Sequence, residues 1–239
     1  MRSIVYGGRD FSEVCCAEVV ARSADPIACE CMRVPGRAGS LLTAGWVPPV
    51  DVEVRLLLDP GHRPGPGGMA GLRARMRSWL CLPGGGTLVL PDDPEVEYAD
   101  ALLVGATGWS DLFEAGSCTL TFTLFDPVGY GMARLERGVS FEVGGTWRTW
   151  PSFRLVAEKG ELVSVALTAA GRGVEVEGPF AGGEVVEVDC GGEWVRVDGA
   201  DARGRVALGS DFFALEPGAV EIAAAGCSAC ETSFRERWV

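Results

Sequence analysis

Two stretches of the chain alternate with a period of two. Val50, Val52, Val54, Leu56 and Leu58 fall on one side, opposite Asp51, Glu53 and Arg55. Cys118, Leu120, Phe122 and Leu124 likewise oppose Thr119, Thr121 and Thr123. Successive side chains of a strand point to opposite faces of its sheet, so each stretch predicts a strand with one buried face. Asp126-Pro127 ends the second, because proline has no N–H for the ladder. One stretch follows the helical period instead. Met69, Leu72, Met76, Trp79 and Leu80 recur three and four residues apart, with Arg73, Arg75 and Arg77 between them. Gly67-Gly68 before it and Pro83-Gly84-Gly85-Gly86 after it bound a helix over 69–82. Strand-like runs follow at 87–90 and 96–99, which predicts a helix packed on an antiparallel sheet.

After Arg137 the pattern changes to short strands separated by glycine, expected at 139–143, 152–157, 161–168, 173–177, 184–189, 194–198, 204–208, 219–224 and 229–237. Many short strands at regular spacing predict a sandwich or jelly roll. The glycine-rich join at Gly144-Gly145 divides the chain into domains at 1–138 and 139–239. Near the C-terminus the apolar pair Phe212-Phe213 precedes Pro217-Gly218, a turn in which proline presets φ and glycine accepts the positive φ that follows. Such a pair beside a turn folds back as a plug on a sandwich core. The fold class is mainly β, with one helix. The 34 Gly and 14 Pro, scattered without a period, fit that turn-rich reading and exclude a collagen-like chain.

The formal charge of −12 is shared by both halves, so neither presents the clustered Lys and Arg that release counterions from nucleic acid. Arg73, Arg75 and Arg77 form the one basic cluster, and on a helix they read as a solvated face or a protein interface. The N-terminus lacks the long apolar region of a signal peptide, and no stretch approaches the ~20 apolar residues that span a bilayer. The nine cysteines are therefore expected to be made and kept in a reducing cytoplasm, without a disulfide framework or membrane insertion.

Candidate chemistry is thin. Cys227-Ser228-Ala229-Cys230 has metal-ligand spacing, and Cys29-Glu30-Cys31 would complete a four-thiolate set. The pairs fall in different expected domains, however, and positions three apart on a strand point opposite ways, so these are read as structural thiols and no metal is expected. Gly65-Pro66-Gly67-Gly68-Met69-Ala70 mimics a dinucleotide fingerprint, but no alternating βαβ pattern surrounds it and no cofactor is expected. His62, the only histidine, sits in a Pro/Gly loop with no nucleophile elbow nearby. Asp92-Asp93 before Pro94 reads as a turn rather than as a carboxylate pair for hydrolysis. No catalytic residue is assigned. Trp147, Trp150 and Trp194 offer large apolar faces with a polar edge, which suits either packing or stacking on a sugar ring.

Five motifs, in order, resemble those of the siphophage distal tail (Dit-type baseplate hub) proteins. Val34-Pro35-Gly36-Arg37-Ala38-Gly39 is similar to the family's "pGRdG" loop, with Ala38 where an acidic residue is common. Trp79-Leu80 and Leu88 to Pro94 with Tyr98 resemble its "wL...L.l.dDp...Y" run. Leu120 to Gly131 is similar to the "ltF...DPy.yg" ending of its first domain, and Gly144 to Phe153 to the first strand of the second. Gly209 to Ile222, with Trp238 closing, resembles its last segment, "gsdFF.LePG...I". The resemblance implies an N-terminal β-sandwich-like domain with one helix that assembles six copies into a ring, and a peripheral galectin-like or carbohydrate-module-like sandwich. It further implies a hub of the virion tail, in a phage or prophage, that joins the tail tube to tail-tip and receptor-binding proteins and has no reaction of its own. Arg37, Arg73, Arg75 and Arg77 are then candidates for the subunit interface. A carbohydrate-binding module with Trp194 and Trp147 as glycan platform is the alternative, and an enzyme finds little support.

Overall fold

The computed structural model describes residues 2–23, 27–168 and 170–239, which divide into two compact units, one ending at Gly129 and one starting at Tyr130. Strands of the first unit are β1 Val5–Tyr6, β2 Arg9–Asp10, β3 Cys15–Arg22, β4 Ala28–Met32, β5 Leu41–Trp46, β6 Val50–Leu58, β7 Gly86–Leu90, β8 Asp93–Thr107 and β9 Ser117–Leu124. Helix α1 covers Gly68–Leu80 and the single-turn α2 covers Asp111–Glu114. An antiparallel sheet runs β3-β6-β9-β8-β7-β1-β2. Both alternating stretches of the sequence became strands, β6 and β9, paired to each other with Val52 opposite Phe122 and Val54 opposite Leu120. Their inward residues are buried, save the half-buried Val50 and Leu58 at the ends of β6, and their charged or threonine partners are not.

Within the first unit the fifteen-residue β8 serves two neighbours in succession. It pairs with β7 up to Ala101 and with β9 beyond it. Asp100 sits at positive φ at the change of partner, and the register shifts between Leu103 and Gly105, so the strand bends where it passes from one neighbour to the next. α1 covers the concave side, adding Leu72, Met76 and Leu80 to a core of Ile4, Tyr6, Phe11, Leu56, Leu88 and Phe122. It stops at Leu80, two residues short of the expected end, because Pro83 disfavours helical backbone at Leu82.

The second unit is a sandwich. Its strands are β10 Gly129–Glu136, β11 Ser140–Val143, β12 Ser152–Ala157, β13 Gly160–Leu167, β14 Arg172–Phe180, β15 Val185–Asp189, β16 Trp194–Val197, β17 Ala200–Asp201, β18 Gly218–Ala225 and β19 Cys227–Trp238. One sheet runs β17-β16-β15-β12-β19-β10 and the other β11-β18-β13-β14. Their inner faces meet in one core of alternating residues, including Phe153, Leu155, Val165, Val176, Val188, Val195 and Ile222. Phe213 is fully buried in it, with its ring 5.6 Å from that of Phe153, and Phe212 packs at its margin. Gly218, at φ 114°, makes the turn into β18 as the Pro-Gly pair requires.

One expected strand, 204–208, did not form. Arg203–Arg205 is a short 3-10 turn, and the segment after it lies along the open edge of β14 without becoming a full strand. Ala207 N–H donates to Glu175 O, Asp211 N–H to Gly173 O, and Ser210 Oγ accepts from Glu175 N–H. Gly204 and Gly209 interrupt the ladder, so the edge is capped by scattered bonds. Within the second unit, Gly145 at φ 90° passes so close to Arg237 O that any side chain there would collide with it. Thr149, also buried, donates from Oγ1 to Arg235 O and exchanges both backbone bonds with Leu215.

Phe213→Ala removes the plug, and its expected cost is about 3–5 kcal/mol in the unfolding of the second unit. Urea titration followed by tryptophan emission measures it. A loss below about 1 kcal/mol would show that the sandwich closes without this ring.

Candidate functional site

α1 separates the three arginines of the basic cluster. Residues four apart on a helix share a face and residues two apart do not, so Arg73 and Arg77 go together and Arg75 diverges. The Arg73 guanidinium lies 5.1 Å from the Phe113 ring centre, on α2, while Arg75 lies against the loop at Gly65. All three are exposed, and none is within ion-pair distance of a carboxylate among the described residues. Arg37 is also exposed and lies far along the sequence from them, in the turn between β4 and β5, where its N–H donates to Val34 O.

Arg77 stands at the rim of a cavity of about 550 Å³, lined by Leu80, Leu82, Leu102, Leu103 and Trp109. The C-terminal end of α1 and the bend of β8 create it, and Trp109 is fixed there edge-on to Phe113 with ring centres 5.3 Å apart. This apolar recess was not anticipated. The run Leu102-Leu103-Val104 hinted at it, since three apolar residues in succession cannot all face one side of a strand.

A second surface was missed as well. β4 and β5 form a two-stranded hairpin that pairs with no other strand among the described residues. All of β5 and all of β4 except Ala28 is exposed. The two largely uncharged runs flanking Pro35-Gly36-Arg37-Ala38-Gly39 carried the signal for a hairpin.

In the second unit Trp194 is half-buried beside the buried Val195, with Arg196 stacked 4.5 Å from its ring centre. Trp147 bridges to Arg237 on β19. The two rings do not pack on one another, so the structure does not unite them in one platform. Trp150 lies against Gly191, on the turn before Trp194.

The remaining motifs are accounted for locally. Asp92 receives two hydrogen bonds from Arg22, at 2.8 and 2.9 Å, rather than facing a second carboxylate. His62 Nδ1 is 2.9 Å from Glu13 O. Among the described residues no group of three or more His, Cys, Asp or Glu is arranged to hold a metal ion. Burial pushes the Cys15 thiol up to about 12 and those of Cys118, Cys190 and Cys230 up to about 11, while Cys227 is raised as well. Among the described residues no helix is long and apolar enough to cross a membrane.

Residues 144–238 match the family of the siphovirus-type tail component, C-terminal domain. The whole chain superposes on SPP1 Dit (gp 19.1), described as a paradigm of the hub adsorption apparatus in Gram-positive infecting phages, with a TM-score of 0.75, 20% identity and 100% of both chains covered. The resemblance to the distal tail family holds. The Dit-type fold accounts for the mainly β architecture with its helix between β6 and β7. A chain of the phage P2 baseplate in its activated conformation with Ca covers 92% of this chain and 90% of that one at 10% identity and a TM-score of 0.44, too distant a likeness to support an inference. No curated protein matches the sequence.

Thiolate is the reactive form of cysteine, so a raised pKa and burial both slow labelling. In dilute protein at pH 8, Cys29, Cys31 and Cys81 are expected to react with a maleimide at once, and Cys15, Cys118 and Cys190 only after unfolding. Mass mapping of the labelled sites checks this. Fast labelling of Cys15 or Cys118 would contradict the packing of the first unit.

Proposed function

We propose that this chain is the distal tail hub of a tailed phage or prophage, a structural protein of the virion tail that performs no reaction. The observation that carries the reading is the whole-length Dit-type fold together with the tail-component match over 144–238. In this reading six copies of the first unit close into a ring, the second unit lies at its periphery, and the ring joins the tail tube to tail-tip and receptor-binding components.

A closed ring requires two different, complementary patches on every subunit. The first unit carries surfaces of the right kind: an exposed hairpin, an apolar recess, and cationic side chains on α1 that have no carboxylate partner among the described residues. The net charge of −12 also suits a channel through which DNA must pass without being held. Arg73 and Arg77 are assigned to the subunit contact, with Arg37 at the hairpin turn.

Negative-stain microscopy of concentrated protein, with native mass alongside, is expected to show six-fold rings with a central channel. Arg73→Glu with Arg77→Glu is expected to abolish them while the monomer keeps its unfolding transition. Rings that form normally would remove this helix from the interface. Incubation with host cell wall is expected to release no soluble sugar or peptide, and release would sink the purely structural reading.

A further inference from the structure

Three of the nine cysteines are exposed, Cys29, Cys31 and Cys81, and they mark two surfaces of the first unit. Cys29 and Cys31 lie on β4 of the hairpin, and Cys81 lines the apolar cavity. The other six are buried or half-buried. An exposed thiol invites oxidation and exchange, so a surface carrying one is best covered in the working state.

The hairpin needs covering on independent grounds. A lone two-stranded hairpin is at best marginally stable in water. The five residues of β4 and the six of β5 include one charged side chain, Glu30. Strand alternation puts Cys29 and Cys31 on one face, with Leu42 opposite Cys31. Met32, Leu41 and Trp46 share the other face. Leu42 is 66% exposed and Met32 54%. Apart from Ala28, every residue on both faces is exposed.

The cavity is the matching feature. Its leucines and Trp109 form a concave apolar wall with room for two or three large side chains, within the usual size range of ~300–1,000 Å³ for a binding recess. Charges flank the two surfaces with opposite sign. Arg33 and Arg37, at the turn of the hairpin, are exposed and have no ion-pair partner among the described residues, and the same holds for Asp111 and Glu114 of α2, close after Trp109. Glu30 on the hairpin and Arg77 at the rim make a second opposite pair. One projecting surface and one recessed surface on the same unit is the arrangement that generates a head-to-tail joint between identical chains.

We propose that the β4–β5 hairpin of one copy seats in the Leu80–Trp109 cavity of the next, so that a single heterologous joint covers Cys29, Cys31 and Cys81 together. The inference rests on the hub reading and names the contact that closes its ring. The occupant is a second copy of this chain.

The test uses the full chain at ring-forming concentration, treated with a short bis-maleimide and mapped by peptide mass. Cross-links from Cys81 of one copy to Cys29 or Cys31 of another are expected, giving a ladder of multimers. The three thiols are expected to label about tenfold more slowly in the ring than in dilute protein. Leu42→Asp changes an exposed side chain, so it should leave the monomer's thermal unfolding intact while removing both the ladder and the ring mass. Rings that form with these thiols still labelling at the dilute rate would overturn the joint and leave the hub reading standing. A Cys81 cross-link confined to one copy would overturn it too, by showing that the hairpin folds onto its own cavity. Monomers at every concentration would sink the hub reading and the second-copy occupant with it.

Discussion

Nearly every strand of this protein has one wet face and one dry face, and the need to cover the dry face determines the architecture. In the first unit the cover is a helix, which lays Leu72, Met76 and Leu80 over a bent sheet. In the second unit it is another sheet, and the Phe213 plug enters the gap between the two. Burial of this kind contributes roughly 25 cal/mol for each Å² of apolar surface removed from water. No single hydrogen bond competes with that sum, which is why the alternating residues dominate the fold. The β4–β5 hairpin departs from this, since every residue of it but Ala28 is exposed and no other strand among the described residues pairs with it.

Edges are the second constraint. An open strand edge offers unpaired N–H and C=O groups to any passing chain. The long edge of β14 is occupied by the 203–211 segment through bonds to Gly173, Glu175 and Glu177. β2, β11 and β17 are only two to four residues long, which limits what they present. The β4–β5 hairpin, in contrast, pairs with no other strand among the described residues. Several titratable groups are occupied with local structure: Asp92 with Arg22, Glu236 with Arg134, Glu231 with Arg137.

Much of the architecture was legible from periodicity. The faces of β6 and β9 follow from alternation, α1 from three- and four-residue spacing, and the Phe212-Phe213 plug from its place before a Pro-Gly turn. The 204–208 strand failed because its alternation resembled a ladder while its glycines and the neighbouring edge favoured a capping loop. The basic cluster was visible, but its division into Arg73 and Arg77 on one side and Arg75 on the other requires the helix phase and the position of α2.

The sequence by itself determined which residues go inside, because burial follows from the period of apolar side chains and needs no partner to be named. It also determined the turns, where Gly145 and Gly218 adopt backbone that other residues avoid. Only the tertiary structure decided which surfaces stay uncovered. The recess beside Trp109 exists because β8 bends at Asp100 and α1 ends at Leu80, two events far apart in the chain. Exposure of the hairpin was equally hidden, since a strand pattern specifies a face to be covered and leaves open whether the cover comes from the same chain.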